Sequence, residues 1–140
     1  MAAVRLTVEG SREFFDRFSG FEDGVITGIR LHLPRPGSGK DHVATFDIQA
    51  MDGTRDHAWV LVQIAVGGLY EYQFPCSKQY SYFVLSDGLN LDLTSDRVVL
   101  DLDPGPDEWE PDQVGRPGEY SKQYAIGTWC EYEVLDGPFI

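Results

Sequence analysis

Three histidines, two cysteines and a run of carboxylates are the residues of this 140-residue chain whose types could do chemistry. His32, His42 and His57 fall into no HxH or HExxH spacing, the patterns that bring two imidazoles to one metal. His42 follows Asp41 and His57 follows Asp56, each at a loop-to-strand junction. Were those two ends to meet, Asp41, His42, Asp56 and His57 would converge on a metal or a general base. Asp and His at such junctions serve turns equally well. Cys76 and Cys130 have no CxxC or Cys/His spacing that suggests zinc. A cysteine nucleophile needs a neighbouring base and an electropositive setting. Cys76 follows Pro75 close to Lys78, whereas Cys130 sits in an apolar alternation and reads as a small core residue. GxSxG, Walker A and dinucleotide-binding glycine patterns are missing. The expectation is therefore a non-enzymatic protein with no catalytic residues, no metal and no cofactor.

The carboxylates are more informative. Asp87, Asp92, Asp96, Asp101, Asp103, Asp107, Glu108, Glu110 and Asp112 fall within residues 86–112, with Arg97 as the one base among them. Calcium needs six to eight oxygens. A calcium loop beginning at Asp101 would put Pro106 where glycine is required and Asp112 where a bidentate Glu belongs. A solvated acidic face or a docking surface for a basic protein remains. Trp109 stands among these acids, in Glu108-Trp109-Glu110-Pro111. It can fold back to plug the edge of a core or serve as an interface anchor. Asp103, Asp107, Glu108, Trp109, Glu110 and Asp112 are the candidate partner-binding residues.

Charge narrows the partners further. The chain holds 23 acids against 11 bases, a net charge of −12. Such a surface repels nucleic-acid phosphates and anionic membrane surfaces, so neither is an expected partner. No stretch approaches the roughly 20 apolar residues of a membrane span, and MAAVRLTVEG has no apolar run of signal-peptide length. A cytoplasmic protein with two reduced thiols is expected.

The elements that position these groups read mostly as strands. Eight Phe, seven Tyr and three Trp, many beside Val, Ile and Thr, favour β structure. SREFFDRF (11–18) reads as one short helix capped by Ser11 and stopped by Gly20, with Phe14, Phe15 and Phe18 on one face. From Val25 the period becomes two. Val25, Thr27, Ile29, Leu31 and Leu33 should share a face, as should Ala44, Phe46, Ile48 and Ala50. Residues 57–66 are the most apolar run and read as a central strand covered on both sides, broken by Gly67-Gly68. Further strands are expected at 69–74, 80–85, 89–94, 97–102 and 124–135. The last should place Tyr124, Ile126, Thr128, Cys130, Tyr132 and Val134 on one face. Short turns between neighbours make them antiparallel. The predicted fold is mostly β, an antiparallel β-sandwich or strongly curved sheet with one short N-terminal α-helix, in a single domain over 1–140. Residues 103–120, with four prolines and three glycines, form one long acidic loop. Ser77-Lys78-Gln79-Tyr80 recurs as Ser121-Lys122-Gln123-Tyr124, an echo too short to mark a repeat.

Two stretches carry a resemblance. After the Phe-rich helix, Phe21-Glu22-Asp23-Gly24-Val25-Ile26-Thr27-Gly28-Ile29 resembles the opening of several families of small bacterial proteins, some of them immunity proteins of polymorphic toxin systems. Val84-Leu85-Ser86-Asp87-Gly88-Leu89, before a second acidic hairpin, looks similar too. The resemblance implies small size, acidity, cytoplasmic location and no catalysis, and carries no site residues over. Together these readings point to an acidic binding protein, an immunity-type inhibitor of a basic protein. The alternative is a small-molecule or carbohydrate-binding β module using Tyr70, Tyr72, Tyr80 and Tyr82.

Overall fold

A computed structural model describes residues 3–74, 84–104, 109–114 and 123–135. Cys76, Tyr80, Tyr82, Asp107, Glu108, the first copy of the tetrapeptide echo and the start of the expected 80–85 strand lie outside these residues. In chain order the elements are β1 (Val4–Arg5), α1 (Ser11–Arg17), β2 (Gly24–His32), β3 (Val43–Asp52), β4 (Ala58–Gly67), β5 (Glu71–Gln73), β6 (Val84–Leu85), β7 (Asn90–Leu93), β8 (Val98–Asp101), β9 (Tyr124–Gly127) and β10 (Trp129–Leu135). They form two antiparallel sheets, a six-stranded one in the order β1-β10-β4-β3-β2-β6 and a four-stranded one in the order β5-β9-β8-β7. This is the expected mostly β, sandwich-like fold with one short helix. Among the described residues no helix is long and apolar enough to cross a membrane.

The two sheets share one bent ribbon. β4 pairs with β10 from Leu61↔Leu135 to Gly67↔Trp129, and β5 pairs with β9 from Glu71↔Ile126 to Gln73↔Tyr124. The chain therefore passes from one sheet to the other twice, at Gly67-Gly68 and at Gly127-Thr128. Thr128 N–H donates to the Gly67 carbonyl (2.8 Å) and Tyr70 N–H to that of Ile126 (3.0 Å) across the bend. A side chain cannot fit there. A Cβ on Gly127 would lie 2.4 Å from the Gly67 carbonyl oxygen, and one on Gly67 would lie 1.9 Å from the Trp129 ring. The single strand expected over 124–135 is thus two strands in different sheets. Cys130 and Val134 face the main core, with Tyr132 packed against it, while Tyr124 and Ile126 face outward into a second small cluster.

Elsewhere the alternation holds with one shift. Ala44, Phe46, Ile48 and Ala50 of β3 are buried together against Val60, Val62, Ile64 and Val66 of β4. In β2 the register slips between Ile26 and Gly28. This bulge puts Ile26 and Ile29 both toward the core, where strict alternation had separated them. Past it Leu31 and Leu33 are exposed. β4 is central, but Gln63 and Ala65 on its outer side are only half-buried and Trp59 is exposed, so it is covered fully on one face alone.

The helix, Ser11–Arg17, lies where it was expected, but Ser11 does not cap it. Gly10 is its N-cap, and the Ser11 hydroxyl donates to the Val8 carbonyl instead (2.9 Å). Phe14 and Phe18 close over Tyr132, with Phe14–Tyr132 ring centroids 4.5 Å apart, and Phe21 packs against both. After α1 the backbone turns through Ser19, Gly20, Phe21 and Asp23, all at positive φ. For residues with side chains each such angle costs about 1–2 kcal/mol. Residues 21–29 and 84–89 hold this turn together. Gly24 pairs with Leu85, Asp23 N–H donates to the Leu85 carbonyl (2.8 Å), and Leu89 N–H donates to that of Gly20 (3.1 Å). They are one structural unit.

Asp52, at the end of β3, ties the helix to the sheet. Its side chain is fully buried and receives Arg17 Nε at 3.0 Å and Nη2 at 2.8 Å, with the Thr54 N–H and hydroxyl at 2.9 and 2.7 Å. The hydrogen bond from Arg17, helped by those from Thr54, holds this carboxyl well below the usual carboxylate range. The same bond raises the Arg17 guanidinium above its ordinary value.

Two expectations follow. Gly127→Ala should lower the free energy of unfolding by about 1–3 kcal/mol in urea titrations, because an added Cβ would lie 2.4 Å from the Gly67 carbonyl oxygen and 2.9 Å from Val66 Cγ1. Asp52→Ala should cost about 3 kcal/mol at neutral pH by stranding a guanidinium that is largely shielded from water. In the unfolded chain Asp52 takes up its proton near the ordinary value of 3.8, whereas the folded carboxyl resists protonation to lower pH. Its contribution is therefore fully present above that value and is lost as pH falls below it. Urea titrations at neutral and acid pH should show a shallower acid loss of stability in Asp52→Ala than in the parent.

Candidate functional site

Residues on the outer face of the four-stranded sheet follow from its pairing. Val98 and Leu100 of β8 face the main core, so Val99 and Asp101 face out. Their cross-strand partners place Asp92 and Asn90 of β7 and Ile126 and Tyr124 of β9 on the same side. Glu71 and Gln73 of β5 complete it. Across the sheet this gives one row of Asp92, Val99, Ile126 and Glu71 and another of Asn90, Asp101, Tyr124 and Gln73.

The acidic segment lies on this face. Trp109, half-buried, packs on the cluster of Val99, Val114, Tyr124 and Ile126. Its indole Nε1–H donates to Asp101 Oδ2 at 2.8 Å. Asp101 is fully buried, and its other oxygen accepts the Asp103 N–H at 2.9 Å. Each oxygen of the hidden carboxylate thus has a donor, as burial of a charge requires. Pro111–Gln113 forms a short 3-10 turn beside it. Arg97 reaches over from the start of β8 to Asp112 Oδ1 (3.2 Å) and the Pro111 carbonyl (3.3 Å). At the far edge the Tyr124 hydroxyl donates to Glu71 Oε2 (2.9 Å), and burial, then Glu71, pushes the phenol up to about 12.

Of the residues singled out by sequence, Asp103, Trp109, Glu110 and Asp112 are described. Asp103 is half-buried, Glu110 and Asp112 are exposed, and Trp109 plugs its own sheet. Glu71 and Asp92 join the same face; Asp92 belonged to the acidic run but not to the candidate contacts, and Glu71 to neither. Each alternates with inward residues on its strand, so its outward direction was readable. Which strands would be neighbours was not.

The other candidate constellations separate. His42 precedes β3 and His57 follows its far end, so a strand of ten residues, about 33 Å long, lies between them. Asp41 instead accepts Trp129 Nε1–H at 2.8 Å, and His42 Nε2 lies 3.1 Å from the Pro34 carbonyl. Cys130 is fully buried, and burial pushes its thiol up to about 12, far from a nucleophile's range. Tyr70 and Tyr72 are exposed on and beside an edge strand, with Tyr72 stacked on Phe74 at 5.7 Å.

The chain matches no protein-family model, no curated protein and no solved structure.

Trp109→Phe keeps the apolar packing and deletes one donor to a buried carboxylate. It should lower the free energy of unfolding by about 1–3 kcal/mol, read from urea curves. An unchanged midpoint would mean that the indole does not serve as a structural clamp.

Proposed function

We propose that this chain is a non-enzymatic acidic binding protein that engages a basic protein partner, in the manner of an immunity-type inhibitor acting in the cytoplasm. One observation carries the reading. Carboxylates from β5 (Glu71), β7 (Asp92) and the 103–112 segment (Glu110, Asp112) gather on one sheet face. Among the described residues of 71–74 and 84–114, Arg97 is the only cation, and Asp112 already engages it. Field from such a face steers a cationic partner and raises its association rate. Trp109 gives the face an apolar centre, and its bond to Asp101 fixes the ring in place. The residues proposed to meet the partner are Asp103, Asp107, Glu108, Trp109, Glu110 and Asp112, with Glu71 and Asp92 beside them.

The test starts from a partner captured from the source cell and purified. Association should slow steeply as salt rises, because screening at physiological ionic strength shortens to about 8 Å. Reversing Asp107, Glu108 and Glu110 together to lysine should slow association at least about tenfold at low salt. Thermal stability, the control for folding, should stay nearly unchanged; Glu110 at least is exposed, and exposed charges contribute little to folding. Association unaffected by the triple reversal at low salt would remove the segment from the interface.

A further inference from the structure

β2 and the loop that joins it to β3 differ in charge from the rest of the chain. Residues 24–40 hold three of the 11 bases and none of the 23 acids. Asp47 engages Arg30 at 2.6 Å. Arg35 and Lys40 are exposed and have no ionic partner among the described residues. Asp41, the next acid along, accepts Trp129 Nε1–H instead. Hydrogen bonds give the loop a fixed shape, with Ser38 N–H donating to the Arg35 carbonyl (3.1 Å) and Lys40 N–H to the Ser38 hydroxyl (3.3 Å). Its tip stands clear of the body, since a Cβ added at Gly37 or Gly39 would meet nothing within 4 Å. Apolar side chains are exposed at the same end. Leu31 and Leu33 are 40% and 48% exposed, Tyr70 and Tyr72 61% and 40%, and these are four of the eight exposed large apolar side chains among the described residues. Strand pairing brings the two pairs to one half of β3. Leu31 lies opposite Ala44. Leu69 N–H donates to the His42 carbonyl (3.0 Å), and Phe74, on which Tyr72 stacks, packs against Phe46 at 5.5 Å. Exposed apolar residues grouped in this way and rimmed by charge mark a protein-docking surface.

Charge complementarity selects the occupant, a surface of carboxylates around an apolar centre. The outer face of the four-stranded sheet has that composition, with Glu71, Asp92, Glu110 and Asp112 around Trp109. We propose that the β2–β3 end of one copy docks on the acidic face of a second copy of this chain. Arg35 and Lys40 meet Glu110 and Asp112, and Leu31 and Leu33 lie towards Trp109. The inference rests on the acidic face being a docking surface, as in the proposed function, and draws the cations from the chain itself. A foreign basic protein and a second copy then compete for one face. Two chains of net charge −12 repel each other at long range. At physiological ionic strength screening shortens to about 8 Å, so this repulsion fades while opposite charges in contact keep most of their attraction.

The test is sedimentation of the full chain at physiological ionic strength, over concentrations up to about 1 mM, a range that captures weak self-association. The average mass should rise with concentration above the 15.7 kDa of one chain. Arg35→Glu with Lys40→Glu, and separately Glu110→Lys with Asp112→Lys, should each weaken association at least about tenfold. The second pair also brings the net charge closer to zero. If general repulsion governed association, that pair would strengthen it, so the direction of the change separates a specific contact from bulk charge. An equimolar mixture of the two double variants should associate again, because the intact end of each meets the intact face of the other and the reversed sites match as well. Thermal melts confirm that each variant is folded. Leu33→Ser should weaken association about fivefold through lost apolar burial. A chain that stays at 15.7 kDa throughout would overturn the proposal. So would either reversal or Leu33→Ser leaving association unchanged, or folded variants whose mixture does not associate. The docking of a foreign basic protein stands apart from these results if reversing Asp107, Glu108 and Glu110 still slows its association.

Discussion

The close approach of two backbones at the bend of the shared ribbon sets the rest of this architecture. At Gly67 and Gly127 there is no room for a Cβ, and the bridging hydrogen bond from Thr128 requires that closeness. Because both strands bend together, the bonds from Thr128 N–H to Gly67 and from Tyr70 N–H to Ile126 carry the pairing across the corner. Everything outward of the corner follows. The sheet holding β3 and β4 faces the one holding β8 and β9, Phe46 and Leu100 lie in one core, and the outward rows of the smaller sheet are left to the acidic segment.

Two fully buried carboxylates then fasten peripheral pieces to this frame. Asp52 takes the helix through Arg17, and Asp101 takes the acidic segment through Trp109. They differ in kind. Asp52 is matched by a charge and Asp101 by neutral donors. In each, a group distant in sequence satisfies an acid that would be costly to bury alone.

Much of the fold was readable from residue patterns because strand period and turn chemistry are local. The β3 alternation, the short Phe-rich helix and the hairpin over 89–102 needed nothing beyond neighbouring residues. The departures are places where distant chain segments decide. Nothing near Thr128 says that a strand changes sheets there, since the reason is Gly67 sixty residues away. The bulge at Thr27 turns both Ile26 and Ile29 inward, and it shows only in the pairing with β3. The histidine constellation could have been set aside from sequence, because a ten-residue strand between His42 and His57 keeps them apart. The candidate face was half legible. Its acidic run stood out, but only strand order brings Glu71 to it and sets Asp92 on the same face, and Trp109 found its partner in Asp101 rather than in solvent.

The pairing order also has a consequence for how the chain is made. β4 is emplaced between β3 and β10, and β1 pairs only with β10, as in Val4↔Tyr132. A ribosome delivers β4 some seventy residues before its second neighbour. Throughout that interval the most apolar strand has one open edge, and β1 has no partner at all. Contacts this distant in sequence make folding slow and leave unpaired edges exposed to other nascent chains. The dense negative charge carried by the residues synthesised in between, from Asp87 to Asp112, makes unfinished chains repel one another until the last strand arrives.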